Sequence, residues 1–140
     1  MEIYEMTALQ VAEKIRNKEI SAVDAVESVA KSVEKREETY NCYASFDKES
    51  ALENAERVQK KIDAGEVVSE LAGVPIAIKD NICEKGKLTT CASKILYNFK
   101  PPYNATVVNE LNDADMIILG KANMDEFAIC LLYTSPSPRD

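Results

Sequence analysis

Gly73-Val74-Pro75-Ile76-Ala77-Ile78-Lys79-Asp80-Asn81-Ile82 is an apolar run that ends on a cation, an anion and an amide in immediate succession. Val74 to Ile78 reads as a buried strand, because its apolar residues are continuous and β-branched side chains recur; Pro75 confines it to a strand start or an edge. Lys79 closes the run. An ammonium at the end of a buried strand is costly unless it is compensated or gives up its proton. The bland reading is a lysine whose head reaches water past an apolar stem. The chemical reading gains weight from the composition, because the chain contains no histidine. Acyl transfer without imidazole needs another base, and an amine brought toward pH ~7 to 8 by desolvation and neighbours is the substitute. Asp80 and Asn81 hold a turn at the strand's carboxyl end, where α/β sheets place their sites, although an ordinary turn accounts for them equally well.

Around this strand the pattern is helices first, then alternating strand and helix. Thr7 to Gln10 has capping-box spacing, and Leu9, Ala12 and Ile15 then mark one face of a short helix ending near Lys18. Ser21 to Asp24 repeats that spacing before Ala22, Val26, Val29, Ala30 and Val33, with Asp24, Glu27, Lys31 and Lys35 on the opposite face to about Glu38. A core-facing stripe is the ordinary explanation for this amphipathic helix, ahead of a partner-binding face. Cys42 to Phe46 is strand-like. Asp47 then caps a third helix that turns Ala51, Leu52, Ala55, Val58 and Ile62 inward and stops at Gly65.

Strand-like fragments are expected near Leu88 to Ala92. Pro101-Pro102 forces an extended turn, Asn104 is expected to cap a helix to about Ala114, and Met116 to Leu119 reads as a second buried strand closed by Gly120. Strand, crossover helix and strand make a βαβ unit, so the fold class is α/β, with a helical N-terminal layer followed by βαβ elements of a mixed sheet.

Composition narrows the function. The 140 residues and 46% apolar content suit one globular core. Seventeen basic against 24 acidic residues give a net charge of −7, which argues against a broad phosphate-binding face. The only glycines are Gly65, Gly73, Gly86 and Gly120, too scattered for a phosphate loop. Cys42, Cys83, Cys91 and Cys130 lack zinc spacing and read as reduced thiols, most simply small core residues, with Cys83 near enough to Lys79 in sequence to be activated by its charge. No metal or cofactor site is expected in this chain. No apolar stretch approaches ~18 residues and the start has no leader pattern, so a cytoplasmic protein without membrane contact is expected. Thr89, Thr90 and Ser93 have no adjacent base and read as loop hydrogen-bonding residues. Asp125 and Glu126 point apart, which leaves helix N-terminal charge as their reading.

Three blocks in order carry a resemblance: Leu71 to Ile82, Thr89-Thr90-Cys91-Ala92-Ser93, and Ile118 to Ala128 with the wording Asn-Met-Asp-Glu-Phe-Ala. Together they resemble the amidase signature family over residues 1 to 129. The resemblance implies a Ser-cisSer-Lys triad on an α/β fold, in which the lysine, matched here by Lys79, deprotonates a bridging serine that activates a nucleophilic serine. The second and third blocks and the N-terminal helices resemble the glutaminase subunits of tRNA-dependent amidotransferases within that family. That implies glutamine as ammonia donor, a heterotrimeric complex, mischarged Glu-tRNA(Gln) as acceptor on a partner subunit, and ATP with Mg used by that partner. A free-standing amidase of the same family, or a non-catalytic module whose helices dock on a partner, are the alternatives.

The sequence departs from the family pattern in three places. The match dissolves at Ile129 to Cys130, before the family's glycine- and serine-rich loop, and Ser135 and Ser137 lie too soon and in Ser-Pro context to be its serines. Residues 130–140 are therefore read as a non-family tail, and the 140-residue chain as an inactive N-terminal portion whose strands are left with unpaired edges. Asp115 stands where relatives have a glycine ending a helix, and Ile129 where they have a methionine.

Overall fold

The computed structural model describes residues 2–129. The tail read as 130–140, with Cys130, lies outside them. Helix α1 (Ala8–Arg16) starts at Thr7, whose side chain accepts from the Gln10 N–H while the Gln10 side chain accepts from the Thr7 N–H. Helix α2 (Ala22–Tyr40) starts with the same reciprocal pairing of Ser21 and Asp24. Each box satisfies two backbone donors that a helix start leaves open, which is why both starts are legible locally. Helix α3 (Lys48–Asp63) is capped by Asp47, which accepts from Ser50 N–H at 3.1 Å.

The buried faces are largely as read. Ala22, Ala25, Val26 and Ala30 of α2 and Ala51, Ala55 and Val58 of α3 are buried. Their small side chains let the helices approach closely, and Val11, Ala12 and Ile15 of α1 join the same cluster as Val74, Ile117 and Leu119 of the sheet. Leu9 is an exception. It is 64% exposed, because Val11 takes the inward position one residue pair further along α1.

Strands β1 (Tyr43–Phe46), β2 (Pro75–Lys79) and β3 (Ile117–Ala122) form one mixed sheet in the order β1-β3-β2. β2 and β3 are parallel, joined through helix α4 (Thr106–Asp113), and β1 lies antiparallel on the other side of β3. The expected βαβ unit is therefore present. The second strand is not an edge, however, because β3 has a neighbour on both sides; among the described strands only β1 and β2 are edges. β3 also runs through Gly120 instead of stopping there. A Cβ on Gly120 would lie 2.2 Å from the Ser45 carbonyl oxygen, so a glycine is needed where the backbones of β1 and β3 meet, not to end the strand.

Two further expectations need correction. Leu88 to Ala92 forms a loop, not a strand, since its backbone groups bond to other loops: Thr89 N–H donates to Phe99 and Cys91 N–H to Asp80. Asn104 does not cap α4. Ala105 holds that position, while the Asn104 side chain accepts from Lys85 N–H at 2.7 Å and donates to Asn109.

Asp115 adopts the left-handed conformation, with φ of 52°, which a glycine would take without strain. Its buried carboxylate is paired with Lys61 at 2.7 Å and Arg57 at 3.4 Å, both from α3, and its carbonyl accepts from Gly73 N–H. Asp115 thus ties α3 to the start of β3. Asp115→Ala is expected to lower unfolding free energy by about 1 kcal/mol more than Asp115→Gly, because both lose the ion pairs and only alanine retains the left-handed penalty. Paired denaturant titrations check this; equal losses would refute it.

Candidate functional site

Parallel pairing makes β2 and β3 leave the sheet at the same edge, and the candidate residues gather there. Lys79 is the last residue of β2 and pairs in register with Ala122. Its side chain is exposed and forms no hydrogen bond or ion pair with a described residue. The burial expected from the apolar run is thus absent. The strand alternates at its end: Ile78 is buried at 3%, whereas Ala77 and Lys79 share the face left open.

The buried lysine is Lys121, 1% exposed on β3. Its ammonium donates to the Ile82 carbonyl and, at 3.0 Å, to the Thr89 hydroxyl. Burial holds its pKa below the usual lysine value, against the opposing pull of Glu84 and Asp80. Burial likewise raises the Glu84 carboxyl, although Lys121 and Lys87 favour its charge. Desolvation outweighs attraction in both. Sequence reasoning misses Lys121 because it takes Gly120 as the strand's end; the available signal is the alternation Ile117, Leu119, Lys121 along β3, whose members are all buried.

Asp80, also 1% exposed, organises the second loop of the site. Its carboxylate accepts from Thr90 N–H at 3.1 and 3.2 Å, from the Thr90 hydroxyl, and from Ala92 N–H at 3.4 Å. Its own N–H donates to Ala122 and its carbonyl accepts from Cys91 N–H. These bonds hold Cys91 and Ala92 in successive left-handed conformations, with φ of 51° and 52°, each a cost of roughly 1–2 kcal/mol for a residue with a Cβ. Phe127 and Ala128 are left-handed too, and Phe127 N–H donates to the Cys91 carbonyl. Strained backbone thus collects beside the Lys79 turn.

The hydroxyls behave as read: Thr89 accepts from Lys121, Thr90 donates to Asp80 and Ser93 donates to Glu126. Glu126 therefore has a side-chain partner beyond its place at a short helical turn. The described cysteines are free but not core residues: Cys42 is exposed, and Cys83 and Cys91 are half-buried. The Cys83 sulfur lies 3.7 Å from the Tyr103 hydroxyl, and burial, then Asp80, pushes the Cys91 thiol up. Asn81 is exposed. A cavity of about 510 Å³ between α3, β3 and the loop at Glu84 to Leu88 reaches Lys121 but not Lys79.

Residues 24–138 match the family described as Amidase, and the chain belongs to that family. Among curated relatives it is similar to subunits of glutamyl-tRNA(Gln) amidotransferase: that of Lachnoclostridium phytofermentans is 55% identical over 130 residues, and that of Agathobacter rectalis 50% identical over 129 residues. Each alignment covers 92% of this chain and 26% of the relative, so the chain spans about a quarter of the length of these relatives. Among solved structures it resembles a bacterial aryl acylamidase of the amidase signature family, with a TM-score of 0.81 and 26% identity over 87% of this chain and 26% of that one. The peptide amidase of Stenotrophomonas maltophilia shares the fold at a TM-score of 0.82, with 23% identity over 88% of this chain and 26% of that one. No described helix is long and apolar enough to cross a membrane.

The lowered pKa of Lys121 carries a stability signature. Below that pKa both states hold the proton and the native state bears the whole desolvation cost. Between it and the ordinary lysine value of about 10.4 the unfolded chain binds more protons than the native one, so stability rises with pH across that alkaline window and levels off above it. Subtracting the curve of Lys121→Met from that of the parent isolates this contribution from Lys48, whose pKa shifts upward and acts with the opposite sign. A difference curve that is flat or falls with pH would show that Lys121 is not desolvated.

Proposed function

We propose that this chain is the lysine-bearing N-terminal portion of the glutaminase subunit of a tRNA-dependent amidotransferase. The reading rests on one observation above others: about half the residues across 92% of the chain are identical to relatives named as subunits of glutamyl-tRNA(Gln) amidotransferase. Lys79 at the carboxyl end of a parallel strand supports it, because an exposed amine on a fixed turn can meet groups supplied by the rest of a larger protein.

In this reading Lys79 accepts the proton of a bridging serine, which accepts that of the nucleophilic serine. The nucleophile's oxygen adds to the side-chain carboxamide carbon of glutamine, the C–N bond breaks, and the returned proton leaves with ammonia. Water then hydrolyses the glutamyl ester. Neither serine is assigned to a residue of this chain, so the 140 residues alone are expected to be inactive. Ammonia passes to a partner subunit that holds mischarged Glu-tRNA(Gln) and consumes ATP with Mg. The net charge of −7 fits a subunit that leaves the polyphosphate ligands to its partner, and a role in translation fits a cytoplasmic location.

The test is glutamine hydrolysis by the intact subunit carrying this sequence, assembled with its partners. Lys79→Ala is expected to lower kcat on the order of 10³-fold or more, and Lys79→Arg as severely, because a guanidinium does not deprotonate. The isolated 140-residue chain is expected to release no ammonia from glutamine. Full turnover by Lys79→Ala overturns the proposed base, and full activity of the intact subunit without copurifying partners favours a free-standing amidase.

A further inference from the structure

We propose that Lys121 is a positioning residue for Lys79, holding the turn that follows it through the Ile82 carbonyl and locking that turn to the Thr89 loop. The inference rests on the reading of Lys79 as the base. Its geometry is a short chain of contacts. Ile82 N–H donates to the carbonyl of Lys79 at 2.9 Å, and the Ile82 carbonyl accepts from the Lys121 ammonium. Ile82 is therefore held from both sides, and it alone stands between Lys79 and Lys121 in this chain of hydrogen bonds. The second acceptor, the Thr89 hydroxyl, lies on the residue preceding Thr90, which Asp80 grips from its own position beside Lys79.

Energetics separate this from a merely stabilising contact. Lys121 and Asp80 are each 1% exposed, and neither forms an ion pair among the described residues. An ammonium buried against two neutral acceptors recovers little of its desolvation cost, and well-packed apolar replacements of buried charges are often neutral or stabilising. What the ammonium supplies is direction. It has three donors that a carbonyl and a hydroxyl on two different loops can share, so both loops are fixed to the central strand.

Two variants of the intact, assembled subunit test the assignment. Lys121→Met keeps the stem and removes the donors; Thr89→Val keeps the shape and removes one acceptor. Lys121→Met is expected to lower kcat for glutamine hydrolysis by about 100-fold with KM within about threefold, the scale of an ångström-sized misplacement, and Thr89→Val by roughly tenfold. Combined, they should lose no more than Lys121→Met alone, since both act through one contact. If either variant lowers only melting temperature or the fraction of folded enzyme while kcat per folded site stays at the parent value, the positioning role is overturned. Should Lys121→Met fail to fold, Thr89→Val decides by the same criterion. Lys79→Ala run in parallel separates the two levels: full turnover there overturns the base itself, whereas an inactive Lys79→Ala beside parent-like Lys121→Met and Thr89→Val overturns only this inference.

Discussion

A buried ammonium must be given acceptors, and Lys121 takes them from the backbone of one loop and the side chain of another. That requirement fixes where the chain goes after β2. The turn from Lys79 to Ile82 must present a carbonyl to β3, and the loop at Thr89 must return beneath it. Asp80 imposes the matching demand with opposite charge, drawing the amides of Thr90 and Ala92 toward the strand end. Asp80 thereby holds left-handed conformations at Cys91 and Ala92 that a free loop would not keep.

Behind this edge the helical layer supplies a platform stiff enough for the arrangement to matter. Alanines at the buried positions of α2 and α3 leave little room for relative movement, and Gly73 sits so close to Ala22 that an added Cβ would lie 2.9 Å from it. Asp47 joins the layers: it caps α3, donates its N–H to the Leu119 carbonyl and pairs its carboxylate with Lys87 from the loop side. The loop that follows the Asp80 to Ile82 turn is thereby anchored to helix and sheet at once.

Much of this is legible in the sequence wherever the deciding forces are local. Thr7, Ser21 and Asp47 announce helix starts because a cap side chain and the amide that donates to it lie three residues apart. Left-handed Asp115 is legible from its place at a helix end, but its partners Lys61 and Arg57 lie more than fifty residues away and leave no local trace. Sequence distance likewise hides the use of Asn104, drawn off α4 by Lys85, and of Gly120, which answers to Ser45. Reading a glycine as a stop is the costliest error, since it ends β3 one residue before its buried lysine.

The fates of the two lysines follow from a single irregularity. Ile76 pairs with Ile118, but Ala77 pairs with Gly120, so β3 carries one residue more than β2 across this step. Because of that bulge, Ile78 faces Lys121 and Lys79 faces Ala122. Without it the count would set Lys79 directly opposite Lys121, two cations side by side on one face of the sheet, an arrangement that repels and that gives both the same exposure. The extra residue moves one lysine to the covered face beside Ile78 and leaves the other open. A bulge in a central strand needs a backbone that can lie against its neighbour without a side chain, which Gly120 provides against Ser45. The glycine that resembles a strand terminator is thus the residue that lets β3 bury Lys121 between the loops while Lys79 stays exposed.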